Sequence, residues 1–118
     1  MIVQEILIMI FKKNTYLFVL ASLLFITIHS CKKKEDPGPN EIYIQNKNFY
    51  PSQLSIPTGT TITWTNKDGI SHTVTSNDNL FDSGKLTKDD KFSYQFTTHG
   101  IYNFRDNYYN AVGTIIVQ

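Results

Sequence analysis

Residues 41–118 contain short stretches in which hydrophobic and polar side chains alternate, the periodicity of a β-strand with one face on a core. In Thr60–Thr65, for example, Ile62 and Trp64 share one face, and Thr61, Thr63 and Thr65 share the other. Asn48–Pro51 interrupts the alternation, and no helical period occurs in this part of the chain. The pattern predicts strands around Ile42–Ile44, Leu54–Ile56, Thr60–Thr65, His72–Ser76, Asp90–Thr97, Ile101–Arg105 and Gly113–Gln118.

Seven short strands separated by turns predict an all-β fold, a two-sheet Greek-key β-sandwich that follows an N-terminal signal segment. The domain, residues 41–118, is small, and a domain of about 60 residues buries only about 60% of its unfolded surface. Aromatic side chains are therefore expected to supply much of the core. Trp64 and Phe92 are expected to be buried between the two sheets.

The N-terminal thirty residues have the pattern of a bacterial lipoprotein signal peptide. Lys12 and Lys13 precede an apolar run from Tyr16 to Ile28, which is shorter than the roughly 20 residues of a membrane-spanning helix. The small residue Ser30 then precedes Cys31, as in a lipobox. Residues 1–30 are expected to be removed and Cys31 to carry the lipid.

The segment that follows, residues 31–40, contains KKKEDPGPN and is expected to be a flexible tether between the lipid and the domain. KKKED also resembles a surface-export signal of some Gram-negative lipoproteins, and a plain solvated spacer fits equally well. The expected location is the cell envelope, lipid-anchored at the outer membrane, with the periplasmic or outer face left open. Translation from Met1 or from Met9 is left open too.

The amino-acid composition argues against several classes of function. Cys31 is the one cysteine in the chain, so a lipidated Cys31 leaves no thiolate and no disulfide. From Cys31 onward there are eight Lys, one Arg and nine Asp or Glu, a formal charge of zero with no basic field for nucleic acid. Membrane attachment would come from the lipid anchor. No nucleophile motif or phosphate-binding glycine loop occurs, so the protein is not expected to be an enzyme.

Three segments carry a resemblance to a known family. Trp64–Ser76 reads WTNKDGISHTVTS, Leu80–Gly84 reads LFDSG, and residues 100–117 read GIYNFRDNYYNAVGTIIV. They resemble the cupredoxin family, the plastocyanin-like small blue copper proteins, over nearly all of residues 41–118. The resemblance implies a cupredoxin-like sandwich and, in a complete member, electron transfer through copper held by two histidines, one cysteine and a weak methionine ligand.

The resemblance implies that His72 stands at a copper-ligand position, while the other three ligands are missing. Asp106 falls at the family's cysteine position. Tyr108 or Tyr109 falls near the second histidine, and Ala111 or Val112 near the methionine.

Another histidine is not expected to replace the missing one. His29 lies in the signal segment. His99 lies at the opposite end of the penultimate strand from Asp106, about 23 Å away along an extended chain. Metal ligands must lie about 2 Å from one ion, so His99 is expected to be a surface residue in a hairpin turn.

Two interpretations of the remaining pair are open. His72 and Asp106 could hold a divalent ion such as copper weakly, with water as further ligands. Alternatively, they hydrogen-bond each other where the ion would lie, which is favoured because two protein ligands rarely hold a metal tightly.

The sequence thus predicts a binding or interaction module with an incomplete type 1 copper site. The loop from Arg105 to Val112 would recognise an unknown protein partner through Arg105, Asn107, Tyr108 and Tyr109, since tyrosine is enriched in contact surfaces. Alternatively, both tyrosines fill the vacated copper pocket. The other function, which the resemblance implies, is a copper-binding electron carrier, and the lack of a thiolate argues against it.

Overall fold

A computed structural model describes residues 2–24 and 34–118, with side chains described for residues 2–13 and 34–118. Residues 1–35 and 36–118 form two separate compact units. In the first unit, α1 spans Ile2–Leu24 and carries Glu5 in its first turn. Among the described residues, no helix has the length and hydropathy that crossing a membrane requires. Cys31 and the preceding lipobox lie outside the described residues, so their lipidation stays a prediction.

The second unit is a sandwich of two mixed sheets, which confirms the predicted all-β class. One sheet has the strand order β2-β1-β4-β6, and the other has the order β3-β8-β7-β5. Pairs β1/β4 and β3/β8 are parallel, and the remaining pairs are antiparallel. The strands are β1 Glu41–Gln45, β2 Asn48–Tyr50, β3 Gln53–Ile56, β4 Thr60–Asn66, β5 Thr75–Ser76, β6 Lys91–Phe96, β7 Gly100–Arg105 and β8 Val112–Val117.

Trp64 is the centre of the core, as the sequence predicts. It is fully buried and its ring lies 5.3 Å from that of Phe104, which belongs to the opposite sheet. Phe81, Phe92 and Phe96 also surround the indole, with ring centroids 5.7 to 6.4 Å away. Packing of aromatic rings from both sheets is therefore what joins the layers.

The expectation that Phe92 is buried is only partly correct, because Phe92 is half-buried. It lies on β6, the outermost strand of its sheet, so no further strand covers it on one side. Phe96, on the same face of β6, is 1% exposed and closes the core there.

The predicted interruption at Asn48–Pro51 is wrong, because Asn48–Tyr50 forms strand β2. The turn between β1 and β2 consists of Asn46 and Lys47, both with positive φ (52° and 60°). Hairpin turns of this type usually contain glycine, and its absence hid the hairpin from the sequence pattern. The carboxylate of Asp68 stabilises the turn instead, accepting hydrogen bonds from the N–H groups of Asn46 (2.8 Å) and Lys47 (2.9 Å).

The predicted strand His72–Ser76 is shorter than expected, since only Thr75–Ser76 pairs as β5. His72 forms an isolated antiparallel bridge with Leu86 instead. The loops that follow β4 and β7 therefore carry the candidate functional side chains.

Strands β7 and β8 approach closely where Phe104 lies opposite Gly113. A Cβ atom on Gly113 would lie 2.6 Å from Cε2 of Phe104, closer than carbon atoms can pack. The Phe104 ring cannot easily move, because it packs edge-on against Phe49 at 4.8 Å and against Trp64. Glycine at position 113 thus makes room for the central ring.

We expect Gly113→Ala to destabilise the domain by about 1–3 kcal/mol, the usual cost of overpacking a core. Urea unfolding of the full chain measures this change. The matched control is Gly69→Ala, because a Cβ atom there meets nothing within 4 Å. Equal stability of the two variants would contradict this account of the core.

Candidate functional site

His72 is held rigidly at the loop end of the sandwich. Its backbone N–H donates to the carbonyl of Leu86 (3.0 Å), and its carbonyl accepts from Leu86 N–H (2.8 Å). The residue has 0% exposure. A buried imidazole needs partners for both ring nitrogens, because an unpaired buried polar group is costly.

Asp106 is the first of these partners. It follows β7 directly, its backbone N–H donates to the carbonyl of Ala111 (2.9 Å), and it is 1% exposed. Its Oδ2 lies 2.6 Å from Nδ1 of His72. Asp106 therefore contacts His72 directly, which confirms the expected hydrogen bond between the two side chains.

The second carboxylate oxygen of Asp106 also accepts hydrogen bonds. Oδ1 accepts hydrogen bonds from the backbone N–H groups of Thr73 (3.0 Å) and Tyr108 (3.1 Å) and from the Thr73 hydroxyl (3.3 Å). Asp106 thereby connects the loop after β4 to the loop after β7.

Asp68 is the second partner of His72, and sequence reasoning missed it. Its Oδ2 lies 3.0 Å from Nε2 of His72. The only sequence signal was an Asp four residues before the histidine in the segment WTNKDGISH. The same carboxylate stabilises the β1–β2 turn, whose position depends on sheet pairing and is not visible in the sequence.

The chemistry of this arrangement is that of an ion-pair network. A carboxylate can only accept hydrogen bonds, so both contacts form together when both ring nitrogens of His72 carry hydrogen. The two contacts thus place the His72 ring between two carboxylates. We call His72, Asp68 and Asp106 the His72 network.

The His72 network does not fit a metal centre. Asp68 and Asp106 contact opposite ring nitrogens, so the three side chains do not converge on one point. Within residues 2–24 and 34–118, no group of three or more His, Cys, Asp or Glu is arranged to hold a metal. His99 is exposed just before β7 begins, at the other end of that strand from Asp106.

The side chains of two residues of the predicted recognition loop hydrogen-bond within the domain, whereas the two tyrosine side chains are exposed. Arg105 donates to Asn107 Oδ1 (3.1 Å) and to Asn77 Oδ1 (2.9 Å), and Asn107 donates to the Thr75 hydroxyl (2.8 Å). Arg105 and Asn107 therefore hold the loop in place. Tyr108 and Tyr109 remain exposed, by 53% and 38%.

Neither tyrosine lies between His72 and Asp106, because these two side chains contact each other directly. Tyr109 covers His72, with ring centroids 5.1 Å apart, and Nζ of Lys47 lies 5.1 Å from the Tyr109 ring. Asp106, not an aromatic ring, occupies the space beside the imidazole.

The charge of Asp68 is favoured by its surroundings. Burial raises the pKa of Asp68, but hydrogen bonds from the backbone of Lys47 and Asn46 and the contact with His72 outweigh it. The pKa of Asp68 therefore lies below its ordinary value of 3.8. Because the folded-state pKa is lowered, the stabilisation is complete above the unfolded-state pKa and is lost as the pH falls through the folded-state value.

We expect Asp68→Asn to lower the free energy of unfolding at pH 7 by about 1–3 kcal/mol, because it weakens hydrogen bonds to a charged acceptor. The difference from the unsubstituted protein should shrink once the pH falls below 3.8. Urea unfolding between pH 7 and pH 2.5 measures it. Asp78→Asn is the control, because the Asp78 carboxylate accepts no hydrogen bond from the described residues. A difference that stays constant over this range would exclude the role given to the charge.

The sequence and the fold were compared with known proteins. The sequence matches the family described as Cupredoxin-like domain over residues 17–117. No curated protein matches it significantly.

Several solved structures are similar. A novel purple cupredoxin from Nitrosopumilus maritimus is 31% identical, with a TM-score of 0.61, over 66% of this chain and 98% of that one. A Cu-containing nitrite reductase from Thermus scotoductus SA-01 is 26% identical, with a TM-score of 0.63, over 71% of this chain and 23% of that one. A methionine-to-alanine variant of amicyanin in the Cu(I) form is 21% identical, with a TM-score of 0.64, over 72% and 87%.

The family match covers most of the chain, the purple cupredoxin aligns over nearly its whole length, and the two-sheet sandwich agrees with both. The protein belongs to the cupredoxin-like domain family.

Proposed function

We propose that this protein is a cell-envelope lipoprotein whose cupredoxin-like domain is a binding module with an incomplete type 1 copper site. The observation that carries the proposal is that both ring nitrogens of His72 are bonded to carboxylates. A side chain engaged in this way has no free nitrogen for copper.

The chemistry of the donor set supports the proposal. A blue copper site requires a thiolate sulfur and two histidine nitrogens. Asp106 offers a hard carboxylate at the cysteine position, and its oxygens already accept four hydrogen bonds. Cys31 is the one cysteine of the chain and precedes the domain.

The shape of the loop end supports binding to a partner. Hydrogen bonds of the buried Asp106 and of the exposed Arg105 and Asn107 fix the loop after β7, so Tyr108 and Tyr109 are presented on a rigid frame. A preorganised surface binds with a smaller entropy cost than a flexible one.

The alternative function is copper-dependent electron transfer. The names of the purple cupredoxin and the nitrite reductase associate this fold with copper. The described residues of this chain do not favour that alternative, since they offer one histidine at the site and no sulfur ligand. Nothing in this end of the domain points to catalysis either.

The envelope location follows from Cys31 as the proposed lipid attachment point. A single acyl chain binds membranes only marginally, so stable anchoring needs a second acyl chain or another membrane signal. The tether of residues 31–40 would keep the domain clear of the lipid surface.

We expect copper(II) added to the purified full chain to give no intense visible absorption, because that band comes from a thiolate ligand. Visible absorption and electron paramagnetic resonance provide the measurement. A blue copper protein loaded in parallel is the positive control, and Cys31→Ser excludes binding to an unmodified thiol. An intense band that Cys31→Ser abolishes would show that Cys31 is an unmodified copper ligand. Tight stoichiometric binding by Cys31→Ser would show that the His72 network opens for copper. Either result would overturn the proposal.

Cys31→Ser is also expected to move the protein from the membrane fraction to the soluble fraction, since it removes the proposed acylation site. Fractionation of cells producing the two forms measures this change. Ser30→Ala, which keeps a small residue before Cys31, is the matched control and should remain with the membrane. Membrane retention of Cys31→Ser would reject the lipid anchor.

A further inference from the structure

A surface depression of about 430 Å³ lies beside the His72 network. It is bounded by the loop after β4, the loop after β7 and one lysine from the segment before β6. Its lining consists of Gly69, Ile70, Ser71, Lys85, Tyr108 and Tyr109. The depression therefore lies at the proposed recognition surface, but it extends beyond the predicted loop.

One wall of the depression offers backbone donors. Within the part of the chain that the structure describes, the N–H groups of Gly69, Ile70 and Ser71 donate no hydrogen bond to protein. Gly69 and Ile70 are exposed and Ser71 is half-buried, so these three successive N–H groups are accessible to a ligand. Successive backbone N–H groups are a recurrent way of binding anions.

Lys85, Tyr108 and Tyr109 add side-chain donors to the lining of the depression. Across residues 2–24 and 34–118, the Lys85 ammonium forms no ion pair, and the hydroxyls of Tyr108 and Tyr109 form no hydrogen bond to protein. An ammonium group carries three donors and a phenol carries one. The tyrosine rings add flat apolar surface next to these groups.

Acceptors are scarce in the same place. No carboxylate lines the depression. Asp68 and Asp106 lie behind it, and their oxygens are occupied by backbone N–H groups and by His72. Asp68 carries a negative charge that opposes an incoming anion. Nζ of Lys47 lies 5.1 Å from the centroid of the Tyr109 ring, and its positive charge favours an incoming anion.

We infer that this depression binds a small oxyanion group, a carboxylate or a phosphoryl group, carried by the ligand of the domain. Lys85 would supply the charge, the N–H groups of residues 69–71 would supply directed hydrogen bonds, and the tyrosines would pack against the rest of the ligand. The inference rests on the proposed function, in which this end of the domain is the recognition surface.

The test is a titration of the ¹⁵N-labelled full chain in detergent with inorganic phosphate in one arm and acetate in the other. Sodium chloride at matched ionic strength corrects for screening. We expect saturable amide chemical-shift changes at residues 69–71, 108 and 109. The anion that binds with the higher affinity identifies the class of oxyanion. Lys85→Ala should weaken binding about tenfold or more, since a hydrogen bond to a charged group is lost. Lys88→Ala, an exposed lysine that does not line the depression, is the charge-matched control and should change affinity less than twofold.

Absence of a saturable shift with both anions would overturn the inference. An equal loss of anion affinity in Lys85→Ala and Lys88→Ala would also overturn it, because binding would then reflect the overall charge of the protein. A third variant, Tyr108→Phe, removes only a hydroxyl and should weaken binding without changing the unliganded spectrum elsewhere. These outcomes are separate from the copper titration: a blue copper band would reject the proposed function whether or not anions bind.

Discussion

The loop end of the domain depends on a buried imidazole between two carboxylates. Transferring a charged group out of water costs several kcal/mol, and only close partners of opposite charge offset it. Nδ1 of His72 lies 2.6 Å from Oδ2 of Asp106, and Nε2 of His72 lies 3.0 Å from Oδ2 of Asp68. Because each partner in such a network compensates the others, the two loops and the β1–β2 turn are held in one arrangement.

This network connects the loop after β4 to the loop after β7, and these two strands belong to different sheets. The connection extends inward, because Asp106 also accepts from Thr73 N–H and Asn107 N–H donates to the Thr73 hydroxyl at 2.8 Å. The aromatic rings that pack against Trp64 stabilise the core of this small domain. A surface held by these contacts keeps its shape without a ligand. Binding to such a surface costs less conformational entropy than binding to a site that becomes ordered only in the complex.

The outer surface of this end differs from its interior. Inside, donors and acceptors are matched around His72, so little hydrogen-bonding capacity is left for a metal. Outside, in the part of the chain that the structure describes, the N–H groups of residues 69–71 and the Lys85 ammonium have no protein partner and lie beside two exposed tyrosines. The contacts of His72 and the unused donors therefore concern adjacent but distinct parts of the fold, and each is open to a separate experiment.

The sequence alone determined the fold class, most strands and the central position of Trp64, because alternation of side chains records which face of a strand is buried. The resemblance also placed His72 opposite Asp106, since both positions follow from where the strands end. Three features depended on the tertiary structure. Strand β2 exists because Asp68, distant along the chain, stabilises a turn without glycine. Phe92 is half-buried because the order of strands puts β6 at an edge. Asp68 reaches His72 because the loop after β4 folds against the β1–β2 turn. Each feature depends on how segments distant in sequence pack against one another, whereas side-chain periodicity carries information only about neighbours along one strand.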